Sequence, residues 1–214
     1  MTGRRPLRRS AAGALVAILA ALVLAADQFV KHLTITHLPL EEAVPVLGDF
    51  LQLYFVRNPG AAFSLGAEVT WIFTIALSIV AAIIVWKAFG LRSRLWAVVL
   101  GLLLGGVLGN LSDRLFREPG FPVGHVVDMI SMPWMMPAIF NVADIFIVGG
   151  MISVALLVVF GLRFDGTRDR DHAAAETDAG ARPLSEDRGV VEADAPAPAS
   201  GVATPAADAE TEGR

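Results

Sequence analysis

The chain has 214 residues, 55% of them apolar, and a formal net charge of −4; its mean hydropathy is +0.60. That apolar share exceeds the roughly 45–50% of a soluble domain, and the surplus is gathered in blocks, which excludes an ordinary water-soluble globule. Cysteine is absent, so disulfides, zinc-thiolate sites and a thiol nucleophile are excluded together. The four histidines, His32, His37, His125 and His172, lack metal-ligand spacing, and neither a metal nor a cofactor is expected.

Residues 1–9, with four arginines, read as a basic cytoplasmic N-terminus. The block that follows, "AAGALVAILAALVLAA", imitates a secretory signal peptide. It runs into "DQFVK" without a turn signal and three further blocks follow, so it is read as an uncleaved signal anchor. Ser10–Ala26, Val69–Trp86, Leu95–Leu111 and Ile145–Leu162 each run 17 or 18 residues without a charge. At 1.5 Å per residue each nearly crosses a hydrocarbon core of about 30 Å. The expectation is an all-α integral membrane protein with spans at about 10–27, 69–86, 95–111 and 138–162.

Between the first two spans, residues 28–68 contain "LQLYFV", whose aromatic and branched side chains favour an extended strand. Asn58-Pro59-Gly60 then reads as a turn. A small extracytoplasmic β element is therefore expected there. The second such loop is residues 112–137. Lys and Arg crowd the N-terminus, the short loop holding Lys87, Arg92 and Arg94, and the stretch after the fourth span. By the positive-inside rule both termini belong in the cytoplasm. From Asp165 onward there are twelve acidic and five basic side chains, a net of −7, against nine acidic and twelve basic elsewhere, a net of +3. This Ala/Pro-rich tail, residues 164–214, is expected to be disordered because it has too little apolar surface to offset chain entropy. The glycines of "GLLLGGVLGN" suit close helix packing, and no phosphate-binding loop or nucleic-acid face is present.

With this topology the unusual polar residues converge on one leaflet. Asp27 and Lys31 share a helical face at i, i+4, Asn110 and Asp113 share one at i, i+3 with Arg114 beside them, and Asn141 and Asp144 do the same. Asn58 and Asp128 belong to the outer loops. Asp27 with Lys31, and Asp113 with Arg114, suit interfacial ion pairs, and Asn110 and Asn141 suit interhelical hydrogen bonds. Asp144 is harder to place. Counted from Pro137 it lies seven residues into the fourth helix, roughly 10 Å deep, where a carboxylate costs about 2.5–3.5 kcal/mol. Two carboxylates without a metal suit an aspartic-protease dyad sharing one proton. Arg114 would hold Asp113 ionised, which leaves Asp128 and Asp144 as the pair.

"DQFVK", "NPGAAF", "GNLSDR", "GHVVDMI" and "FNVAD" occur in the order found in bacterial lipoprotein signal peptidase (signal peptidase II), and the chain resembles that family over about residues 10–163. The resemblance implies a four-helix membrane aspartyl endopeptidase of the bacterial inner membrane. It would cleave diacylglyceryl-modified prolipoproteins at the outer leaflet, N-terminal to the lipidated cysteine. The family's dyad maps onto Asp128 and Asp144, and its supporting residues onto Asp27, Lys31, Asn58, Asn110, Asp113, Arg114 and Asn141. Expected partners are prolipoproteins and membrane lipid, without nucleic acid, for a monomeric enzyme. Two departures stand out: a short, Met-rich "MISMPWMMPAIFN" between the dyad residues, and the acidic tail. The competing readings are a proton-coupled transporter using Asp144 and a non-catalytic assembly subunit.

Overall fold

A computed structural model describes residues 7–60 and 69–167. The Ala61–Phe63 end of "NPGAAF" and the acidic tail from residue 168, with its expected disorder, lie outside the described residues. Four helices carry the fold: α1 (Arg9–His37), α2 (Thr70–Ala88), α3 (Arg94–Phe116) and α4 (Val142–Val159). All four are long and apolar enough to cross a membrane, and α1 extends about 43 Å at 1.5 Å per residue. Their outward faces carry exposed Leu22, Ile79, Trp86, Val148, Met151 and Ile152. Such faces are stable only against lipid or another apolar surface, which fits a multi-pass membrane protein.

The buried residues of α1 are Ala12, Val16, Ala20, Val23, Asp27, Lys31 and Thr34. Steps of three and four keep them on one stripe, and that stripe lies against α3. Glycines on α3 make the approach possible. A Cβ on Gly101 would stand 3.1 Å from the Val16 Cα, one on Gly105 2.5 Å from the Val23 Cβ, and one on Gly109 2.6 Å from an Asp27 carboxylate oxygen. On the α4 side, a Cβ at Gly106 would meet the Ala143 carbonyl at 2.6 Å. The most buried helix, α3, is thus the post on which α1, α2 and α4 are mounted.

A four-stranded antiparallel sheet sits at one end, in the order β1 (Ala43–Pro45), β2 (Gln52–Asn58), β3 (Val126–Met132), β4 (Met136–Phe140). The expected β element of the first loop is its first half. The second half comes from the connection between α3 and α4, where only a loop was expected. Strand β3 is buried on both faces: Val127 and Met129 pack with Phe55 and, more loosely, Val30 and Leu38, while Asp128 points to the other side.

Two helices have bounds that differ from those of the expected spans. The first helix continues to His37, beyond the expected end at residue 27, because Asp27 and Lys31 neutralise each other inside the packing. The fourth begins at Val142 rather than 138, because Met136–Phe140 form strand β4. Asp144 therefore lies in the first helical turn, not two turns deep.

At the opposite end the chain after α4 folds back. The Phe164 carbonyl accepts the N–H groups of Arg92 and Ser93, both at 3.0 Å. The Phe164 ring lies 4.4 Å from that of Trp96, whose indole N–H reaches the Leu162 carbonyl at 2.9 Å.

Candidate active site

Asp144 is placed by the helix start that it helps to build. Asn141 is the N-cap of α4: its side-chain oxygen accepts the Asp144 N–H at 3.0 Å, and Asp144 Oδ2 accepts the Asn141 N–H at 3.1 Å. This reciprocal capping box satisfies two orphan donors of the first turn. It leaves Asp144 Oδ1 for the Asn110 amide of α3, 2.7 Å away.

Asp128 is placed by the sheet. Asn58 pairs with Val126 across the β2–β3 ladder, so Asn58 and Asp128 are diagonal neighbours on one face. The Asn58 amide donates to Asp128 Oδ2 at 2.9 Å. The Asn141 amide donates to Asp128 Oδ1 at 2.7 Å and to Asn110 Oδ1 at 3.0 Å, so a single asparagine touches both carboxylates. Each of the four carboxylate oxygens thus has a neutral amide donor. Burial, and next the negative charge of Asp144, push the Asp128 carboxyl up to about 7, against the opposing hydrogen bonds from Asn58 and Asn141 and the charge of Lys31. That is the behaviour of a carboxyl pair that keeps one proton.

Behind this pair lies a second one. Lys31 Nζ sits 2.8 Å from Asp27 and 2.8 Å from Asp113, all three with fully buried side chains, and donates to Asn110 Oδ1 at 3.0 Å. Two acceptor contacts on Asn110 Oδ1 orient its amide so that the NH2 faces Asp144. Asp27 also accepts the Ala143 N–H at 2.9 Å, and Asp113 the Val127 N–H at 3.1 Å.

Arg114 departs from expectation. It makes no ion pair with Asp113, whose cations are Lys31 and Arg117, the latter at 2.6 Å. Its guanidinium instead gathers carbonyls: Asn58 at 3.2 Å, Pro59 at 2.8 Å, Gly124 at 3.1 Å, and Gly60. The first loop is thereby tied to the segment leading into β3, and Asn58 is held over Asp128.

All nine sequence-predicted residues fall in one continuous hydrogen-bonded cluster. Sequence reasoning missed Gln28 and Arg117, which bond to Asp113, and Gly109, whose missing side chain admits the Asp27 carboxylate. The i, i+4 spacing of Asp113 and Arg117 was the available signal.

Asp128 and Asp144 open onto a cavity of about 600 Å³. Asn58, Asn110 and Arg114 complete its polar rim, while Phe73 and Leu77 of α2, Ile145 and Val148 of α4, Met135 of the β3–β4 turn and Met136 of β4 make the rest apolar. Such a site can hold water between two carboxyl groups beside a place for hydrocarbon. Among the described residues no group of histidine or carboxylate side chains suits a metal ion.

The family model described as signal peptidase (SPase) II matches residues 19–160. A lipoprotein signal peptidase of Leifsonia xyli subsp. xyli (strain CTCB07) is 49% identical over 173 residues, 80% of this chain and 80% of that protein. One from Mycobacterium avium (strain 104) is 44% identical over 174 residues, 81% of this chain and 93% of that protein. Two solved structures, each a bacterial membrane enzyme determined by the in meso method, share the fold. The one at 2.3 Å resolution has a TM-score of 0.62 at 24% identity, over 73% of this chain and 92% of the other. The one at 1.9 Å has a TM-score of 0.59 at 26% identity, over 73% and 97%.

Proposed function

We infer that this chain, which belongs to the signal peptidase II family, is an aspartic endopeptidase that removes signal peptides from prolipoproteins, with Asp128 and Asp144 as its dyad. The observation that carries the dyad assignment is the shared Asn141 bridge: a buried carboxylate, Asp128, and a half-buried one, Asp144, on different elements, given only neutral donors, at the polar end of an apolar cavity. In this reading the ionised carboxylate takes a proton from a water held between the pair. The water oxygen bonds to the scissile carbonyl carbon while the protonated carboxyl donates to the carbonyl oxygen. Collapse breaks the C–N bond as a proton passes to the leaving nitrogen. The dyad titrates as a pair, so acid and base are roles rather than residues.

The substrate is a prolipoprotein whose cysteine carries diacylglycerol, cut on the N-terminal side of that cysteine. The apolar wall of Phe73, Leu77, Ile145 and Val148 suits the acyl chains and supplies binding remote from the reacting bond. The sheet end faces the outer leaflet of the inner membrane and both termini the cytoplasm, as the Lys/Arg distribution supports. The nine residues meet within one chain, so the site is complete without a residue from a second copy. A transporter reading fares worse, because among the described residues the buried charged side chains all gather at the sheet end.

Purified Asp128→Asn and Asp144→Asn proteins should each lose cleavage of a diacylated prolipoprotein by at least about a hundredfold, while still inserting and folding. Cleavage retained by either one removes the dyad assignment. A non-acylated prolipoprotein offered to the wild-type enzyme should remain uncut; if it is cut, the acyl chains are not required.

A further inference from the structure

The two carboxylates paired with Lys31 do one thing in common. Each receives the backbone N–H of the residue immediately before a dyad aspartate: Ala143 to Asp27, and Val127 to Asp113. On the Asp144 side the capping box gives a second hold. On the Asp128 side the ladder to β2 runs in register from Asn58↔Val126 to Val56↔Asp128, and the shifts lie beyond Asp128, between Leu53 and Val56 on β2 and between Ile130 and Met132 toward β4. Strand pairing therefore holds Asp128 along β2 alone, since the ladder to β4 begins at Ile130, and the Val127–Asp113 bond supplies a second hold from α3.

What holds Asp113 is a ring of three side chains. Arg117, the C-cap residue of α3, donates from Nε to Asp113 Oδ1 at 2.6 Å, and its terminal nitrogen donates to Gln28 Oε1 at 3.2 Å. Gln28 Nε2 closes the ring by donating to Asp113 Oδ1 at 3.1 Å, and also reaches the Gly109 carbonyl at 3.2 Å. A carboxylate turns easily about its last torsion, whose wells are broad. With Oδ1 fixed by two donors, Oδ2 must face Lys31 and the Val127 N–H.

We propose that Arg117, braced by Gln28, is a positioning residue for Asp128: it locks the rotation of Asp113 and thereby seats β3 so that Asp128 meets Asn141 and Asn58. The inference rests on the assignment of Asp128 to the dyad. Arg117 itself touches neither the dyad nor the cavity. Its side chain is 26% exposed, so it can be replaced without opening the core.

The full-length enzyme in detergent, with a diacylated prolipoprotein as substrate, gives the test through Arg117→Gln, Arg117→Lys, Gln28→Ala, the Arg117→Gln/Gln28→Ala double variant and Asp128→Asn. Arg117→Gln should lower kcat about tenfold, as displacements of well under 1 Å do, with KM and Tm unchanged. Lysine at 117, able to reach Asp113 with one donor, should restore most of that loss. The double variant should be no worse than Arg117→Gln, because the two residues act as one unit. Hydrogen exchange at the Val127 amide should quicken in Arg117→Gln. Wild-type kcat in Arg117→Gln overturns the proposal, and so does a loss that follows a fall in Tm and is not rescued by lysine. If Asp128→Asn still cleaves, the dyad assignment fails; if Asp128→Asn is inactive and Arg117→Gln is normal, only the positioning role fails. Arg57→Gln, which breaks the exposed pair between Arg57 of β2 and Glu118 of the loop after α3, should leave kcat unaltered.

Discussion

Two pairs of aspartates occupy adjoining layers at the sheet end, and they differ in the donors around them. Asp27 and Asp113 are gripped by the full positive charges of Lys31 and Arg117 and by backbone N–H groups. Asp128 and Asp144 are held by three asparagine amides and one N–H, all neutral. A cation bound to a carboxylate favours its charged form, whereas burial and a like charge disfavour it. In the proposed enzyme the same side chain thus serves as an anchor in one layer and as half of the dyad in the next. What separates the roles is the charge of the partner more than depth of burial, since Asp128 is as deeply buried as Asp27 and Asp113 and only Asp144 is half-buried.

The largest expected effect comes from removing the cation of the anchoring layer. Lys31→Met leaves buried Asp27 without its cation and Asp113 with Arg117 alone and should cost about 3–5 kcal/mol, read as a large fall in the denaturation midpoint together with loss of cleavage. If stability is unchanged, the anchoring layer is not held by charge. Next comes Gly109→Ala, whose new methyl would stand 2.6 Å from the Asp27 carboxylate and 3.1 Å from the Ala143 side chain. Overpacking of this kind costs about 1–3 kcal/mol, and cleavage should fall further than stability, since Asp27 would release the first turn of α4. Full activity in this variant would show that Asp27 is not needed in its place.

The smallest effect concerns proton placement in the dyad layer. The Asp128 carboxyl is raised to about 7, so its protonated form empties as pH rises through that value, and cleavage should decline over the same range. Asn58 donates a hydrogen bond that opposes the rise. Asn58→Ala removes it, so the descending limb of the pH–rate profile should move to higher pH. A limb that moves to lower pH would mean that Asn58 does not act on Asp128 in this way.

The helices were legible because a charge-free run of 17 or 18 residues has few other uses, and the polar cluster because buried polar groups demand partners. The boundaries were less legible for the same reason. Asp27 and Lys31 looked like the end of a span because each alone is costly there; as a buried pair they let α1 run on. Pro137–Phe140 is as apolar as a helix start, and only the Asn141/Asp144 spacing, a capping signature, marks where α4 begins. The β3–β4 hairpin was hidden because its core residues, Val127 and Met129, alternate with an aspartate that serves the site rather than solvent. Gln28 and Arg117 were passed over because both types are common at helix ends, and their meeting depends on how α1 and α3 are aligned.

That alignment is set far from the carboxylates. Gly101, Gly105 and Gly109 are three notches, and the Val16, Ala20–Val23 and Asp27 levels of α1 seat in them one after another. The notches work as a vernier: sliding α1 by one turn would drive a valine into the gap that Gly109 keeps for Asp27. The first span is then a measuring rod as well as an anchor. Its contacts two and more turns below the site calibrate, through Asp27 and Ala143, the height at which Asp144 meets its partner.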